Sequence, residues 1–201
     1  MAKYHPPATI RGVFLFVITL AGLVYCFAPL DSVAAREKAA KAKPAVTASP
    51  PGKPLPAAVT EMREAILSAV HSGKIEDLRT ALEWNELQPI VADEAVVDPI
   101  AYWKKVSSDG QGREILAALG NILEAEPAAL PLGKDIENNL VYVWPAVAEA
   151  KLAELTPAQE VAVYRLIRPD DLKAMREKKK WTWYRLVIGA DGTWHSFQKH
   201  E

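Results

Sequence analysis

The sequence predicts an α+β domain in which about five or six helices pack on a small antiparallel sheet ending in a C-terminal β-hairpin. A membrane or signal helix and a disordered linker precede it. Three observations carry this reading. Apolar residues recur at helical spacing between residues 57 and 123. Asp191-Gly192 stands between two runs rich in aromatic and β-branched residues. A strongly apolar run near the N-terminus gives way to an Ala/Lys/Pro stretch in which no core can form.

The chain opens with Lys3 and Arg11 and then runs uncharged from Gly12 to Leu30. A hydrocarbon core of ~30 Å takes about 20 helical residues, so this run just spans a bilayer, and its basic leading flank places the N-terminus inside. A signal peptide has the same layout with a shorter apolar stretch, and Ser32 and Ala34 form a small-residue cleavage pattern. Residues 1–34 therefore read either as a signal anchor through residues 12–30 or as a signal peptide cut near Ala34. Both place the rest of the chain in the periplasm. Cys26, the only cysteine, follows Tyr25 where a lipoprotein needs a small residue, and it leaves the exported part without a thiol for a disulfide, a metal or a nucleophile.

Residues 35–56 are the linker. Pro44, Pro50, Pro51, Pro54 and Pro56 break any helix there, and few large apolar side chains are available to offset ordering entropy. Seven of the 24 Lys and Arg and two of the 25 Asp and Glu precede Ala57, so the domain at 57–201 is net acidic by six. Such a domain lacks the basic footprint that phosphate neutralisation demands, and no nucleic-acid partner is expected. The basic linker is suited to anionic lipid head groups, or its lysines simply keep it solvated.

About 145 residues support one core. Val59, Met62, Ile66 and Val70 share one helical face, which ends at His71-Ser72-Gly73. Ile75, Leu78 and Leu82 begin a second helix, and so tight a connection requires the two to pack as a hairpin. Asp98-Pro99 is an N-cap followed by proline at the first helical position, leading into Ile100-Ala101-Tyr102-Trp103. Ser108-Asp109-Gly110-Gln111-Gly112 is a turn before a helix carrying Ile115, Leu119 and Ile122. Its glycines lack the preceding strand and the Lys-Ser/Thr pair of a phosphate loop.

Leu140 to Trp144 has the composition of a buried strand that Pro145 ends. Thr156-Pro157-Ala158-Gln159 is a capping box, and Leu172 and Met175 mark a short helix after Pro169. The hairpin follows, from Trp181 through Ile188, around Gly189-Ala190-Asp191-Gly192, and back through Thr193 to Phe197. Two strands alone are marginal, so it must lie on the helices or pair with the strand near Tyr142.

The stretches Asp98 to Lys104, Asp109 to Leu116 and Ile188 to His195 resemble an uncharacterised family of exported, periplasmic proteins from alphaproteobacteria. The similarity extends from about Ala65 to Phe197. It implies compartment and domain size, and it assigns no activity and no catalytic residue.

Two function classes follow. An enzyme acting on envelope material would use Asp109 and Glu114, two carboxylates flanking Arg113, together with His195, which can serve as a general base. That reading requires Asp109, Glu114 and His195 to meet in one concave pocket. Against it, acidic residues at a helix start are favoured by the macrodipole alone, and no Gly-x-Ser-x-Gly elbow supplies a nucleophile. No paired-histidine or His-Glu pattern points to a metal, and no cofactor is expected. The second class is a non-catalytic protein that binds an envelope partner protein or a peptidoglycan-type ligand. Six tryptophans are many for a domain of this size. Tyr102, Trp103, Arg113, Trp181, Trp183, Arg185 and Trp194 are the residues expected to form its surface, flat aromatic faces beside cations being suited to a glycan or a peptide. The same rings can instead weld sheet to helices.

Overall fold

The computed structural model describes residues 54–132 and 139–200. The membrane segment, the cleavage site near Ala34 and most of the linker lie outside the described residues. Among the described residues no helix is long and apolar enough to cross a membrane.

Helix α1 (Ala57–Ser72) turns Val59, Met62, Ile66 and Ala69 inward and stops at Gly73, whose φ of 70° is the left-handed cap that a side chain resists. A 3-10 turn at Ile75–Leu78 and the short α2 (Arg79–Glu83) fold back on it. An extended segment then leads to α3 (Pro99–Val106), where the Asp98 carboxylate accepts from the amides of Ile100 and Ala101 at 3.0 and 3.2 Å. Helix α4 (Arg113–Leu123) presents Ile115, Leu119 and Ile122 to the same core. The Arg63 guanidinium of α1 donates to the carbonyl of Leu123 at its end.

Four strands form one antiparallel sheet in the order β1 (Ala128–Pro131), β2 (Leu140–Trp144), β3 (Tyr184–Gly189), β4 (Trp194–Lys199). Tyr142 pairs with Ile188 and Trp144 with Leu186, so the strand near Tyr142 is the partner that the hairpin needed. One face of the sheet buries Tyr142, Trp144, Leu186, Ile188, Trp194 and Phe197 against α1, α3 and α4. The other carries Val141, Val143 and Val187.

Between β2 and β3 the chain leaves the sheet for α5 (Pro157–Tyr164) and α6 (Pro169–Lys178), preceded by two short 3-10 turns. The predicted capping box at Thr156 and Gln159 is present. These helices enclose a second, smaller core of Val147, Leu152, Val163, Ile167, Leu172, Met175 and Trp181. The helical content is thus divided around the first two strands. A register irregularity between Val187 and Ile188 sets Ile188 opposite Trp194 and Leu186 opposite Phe197, so Trp194 and Phe197 both reach the main core although three residues apart.

Candidate functional site

An aromatic series runs from the core to the surface. Trp194 stacks on Trp103 at 5.9 Å, Trp103 meets the edge of Phe197 at 6.0 Å, Phe197 stacks on Tyr184 at 5.0 Å, and Tyr184 meets Trp183 edge-on at 5.2 Å. The series ends at Lys199, whose ammonium lies 5.4 Å from the centre of the Trp183 ring. Its inner members are buried and its outer ones open on two hollows.

The first hollow, about 430 Å³, lies between α3, α4 and the end of the hairpin, and Tyr102, Tyr184, Glu114, Asp93 and Lys199 line it over a floor of Trp103. The second, about 590 Å³, lies between α6 and the same end of the sheet, with Trp183, Thr182, Arg168, Lys178 and again Lys199 on its walls. Lys199 therefore stands between a hollow with two carboxylates and one with two further cations and the Asp171 carboxylate. Arg168 is paired with Asp171 at 3.2 Å. Burial first, and then the nearby charges of Glu114 and Tyr102, push the Tyr184 phenol above its ordinary range, so it stays a neutral hydroxyl facing the hollow.

Glu114 reaches this hollow from a structured turn. Its carboxylate accepts from the Ser108 amide at 2.8 Å and the Ser108 hydroxyl at 2.5 Å. These bonds, and the more distant charge of Lys199, hold it below the usual carboxylate range. Asp109 accepts from the Ser107 hydroxyl at 2.6 Å and from the amides of Gln111 and Gly112 at 2.8 and 2.9 Å, which lowers it too. Arg113 sits 3.5 Å from Asp109 and faces solvent. Both carboxylates thus close the turn that starts α4.

His195 is elsewhere. A Cβ placed on Gly189 would meet His195 Nε2 at 2.8 Å and Asp191 Oδ1 at 2.5 Å, so the imidazole lies beside the hairpin turn. Lys199 is four residues further along β4, a separation of roughly 13 Å in an extended strand. Glu114 alone of the three proposed catalytic residues lines the hollow, and the required convergence of Asp109, Glu114 and His195 is not found. Among the described residues no three His, Cys, Asp or Glu side chains are grouped to hold a metal ion.

The expected binding residues also divide. Tyr102 and Trp183 line the hollows, and Trp103 is the floor of one at 1% exposure. Trp194 is core, also at 1% exposure, and its indole nitrogen donates to the carbonyl of Ser196. Trp181 is a correction: it precedes β3, is buried in the second core, and its indole donates to the Tyr184 carbonyl at 3.1 Å, so it offers no face to a ligand. Arg185 is on the opposite side of the sheet, bonded to Glu149 at 2.7 Å. Tyr184, Lys199 and Asp93 were not foreseen. The two-residue period joining Tyr184 to Leu186 would have hinted at the first, whereas nothing in the sequence around Lys199 marks it.

The sequence matches no protein family, no curated protein and no solved structure with which it was compared.

Proposed function

We propose that this domain is a non-catalytic binding module of the cell envelope, with its ligand lying across Lys199 from one hollow to the other. The observation that supports this most directly is the shared lysine flanked by aromatic faces, Tyr102 and Tyr184 on one side and Trp183 on the other. Aromatic planes offer sequence-tolerant apolar contact, and the charges on either side give an extended ligand its direction. A peptidoglycan-type fragment, or an extended segment of an envelope protein, has the required length and mixture of apolar and charged groups. The domain would work in the periplasm, held at the inner membrane by residues 12–30 or released by cleavage near Ala34. Asp109 and Glu114 already satisfy the turn that starts α4, and His195 lies apart from them, which favours binding over the alternative of an envelope enzyme.

Titration of the full chain with soluble cell-wall fragments and with unstructured peptides is the direct test. Saturable binding that weakens at least several-fold in both Lys199→Ala and Trp183→Ala is the expected result. Binding indifferent to both substitutions, or turnover of either ligand class, would remove the proposal.

A further inference from the structure

The segment joining α2 to α3 runs as a strap along the outer edge of β4. The Asn85 side chain bonds to the backbone of Trp194, the Ile90 amide donates to the carbonyl of His195 at 2.9 Å, and the Phe197 amide donates to the carbonyl of Ile90 at 2.9 Å. Ile90 thereby forms an isolated parallel bridge with Ser196. Held in this way, the strap turns large apolar side chains to solvent: Trp84 is 57% exposed, Leu87 81%, Ile90 59% and Val97 94%. Single exposed apolar residues are ordinary, but four on one short strap are not. Their setting is charged with one sign. No Lys or Arg occurs from Thr80 to Trp103, whereas Glu83, Glu86, Asp93, Glu94 and Asp98 do, and all five are exposed.

We propose that this strap is a docking surface for an extended, basic segment of another protein, with apolar side chains alternating between cations. The geometry matches that chemistry on two counts. The strap lies along a sheet edge, where an extended chain can follow it with alternate side chains facing it. Its carboxylates flank the apolar positions, so cations spaced along such a segment meet them while the residues between cover Leu87 and Ile90. An anionic lipid surface is disfavoured by the same carboxylates. The inference is independent of the hollows around Lys199.

The test uses the full chain in nanodiscs of neutral lipid and three labelled peptides of about twelve residues: alternating Lys/Val, all-Lys and alternating Glu/Val. Saturable binding of the Lys/Val peptide is expected, at least roughly tenfold tighter than the other two and weakened roughly tenfold or more by the pair Leu87→Ser and Ile90→Ser. Neutralising Glu83→Gln and Glu86→Gln should weaken it several-fold and steepen no salt dependence. Because all four side chains are exposed, melts of these variants should match the parent, which separates loss of binding from loss of fold. Equal binding of Lys/Val and all-Lys peptides, or no effect of the Leu87 and Ile90 changes, would overturn the proposal. An environment-sensitive dye on Leu87→Cys, with Cys26→Ser, covers the competing occupants. A dye shift produced by nanodisc lipid alone would assign the strap to the membrane, and one that grows with protein concentration would assign it to a second copy. Either result would overturn a heterotypic basic partner.

Discussion

Asn85 pairs with the backbone of Trp194 as a neighbouring strand would: its side-chain amide donates to the Trp194 carbonyl at 3.1 Å and its side-chain oxygen accepts from the Trp194 amide at 3.0 Å. One side chain thus supplies both bonds of a missing ladder rung at the start of β4. Asn85→Ala leaves both backbone groups of a core tryptophan without these partners and should cost about 1–3 kcal/mol in a denaturant melt. Asn85→Asp keeps an acceptor and loses the donor, so its loss should be smaller. Equal stability of the alanine variant and the parent would show that water replaces the rung without cost.

Two glycines of one turn should respond differently to alanine. Gly110 and Gly112 both have positive φ, 62° and 74°. A Cβ at Gly110 meets nothing within 4 Å, whereas one at Gly112 would lie 2.9 Å from Ile75 Cγ1, a buried side chain. Gly110→Ala should carry only the backbone penalty, roughly 1–2 kcal/mol. Gly112→Ala adds a core displacement and should melt at distinctly lower denaturant. The reverse order would mean that Ile75 yields freely.

Leu186→Ala empties a fully buried site on a strand with partners on both sides and should cost about 2–5 kcal/mol. Trp183→Ala removes a half-buried ring that meets Tyr184 and Lys199 and packs at the margin of the second core, and it should cost less stability than Leu186→Ala while reducing ligand binding. Paired melts and titrations check both statements. A larger stability loss from Trp183 would make that ring structural.

Acid should weaken the turn before α4. Asp109 and Glu114 are both held below their ordinary range, chiefly by the Ser107 and Ser108 hydroxyls respectively. A carboxylate with a depressed folded-state pKa adds stability above its unfolded value, near 4, and forfeits it as pH falls through the lower folded value. Stability should therefore decline below about pH 4, and Asp109→Asn with Glu114→Gln should flatten part of that decline. A parallel decline in parent and variant would place the effect at other carboxylates.

Local signals were the most legible part of the fold. Asp98-Pro99, the Thr156 capping box and the Asp191-Gly192 turn each rest on a few adjacent residues, and each stands where the sequence places it. Leu186 and Ile188 point inward as the two-residue period requires. Strand β1 was not legible: Ala128 to Pro131 has no alternation, and only pairing with β2 makes it a strand. Trp181 was assigned to the hairpin because its type favours strands, but the second core outcompetes strand continuation there. In the candidate site, Tyr102 and Trp183 were visible as aromatics beside charge. The role of Lys199 was not, because it depends on β4 bringing residue 199 between α3 and α6, a non-local fact.

The sheet order has a consequence for how the chain comes together in time. β3 is an interior strand, yet it is the next-to-last element, so a chain delivered from its N-terminal end holds Tyr142 and Trp144 without their partners Ile188 and Leu186 until more than forty further residues have arrived. Helices α1 and α4 both precede β3 and can meet before it arrives. The apolar face between them and β2 then has no lid. Completion waits on the latest residues to be delivered. A chain stalled or cut short before Tyr184 would display that open face, and it would be a ready target for chaperones or proteolysis.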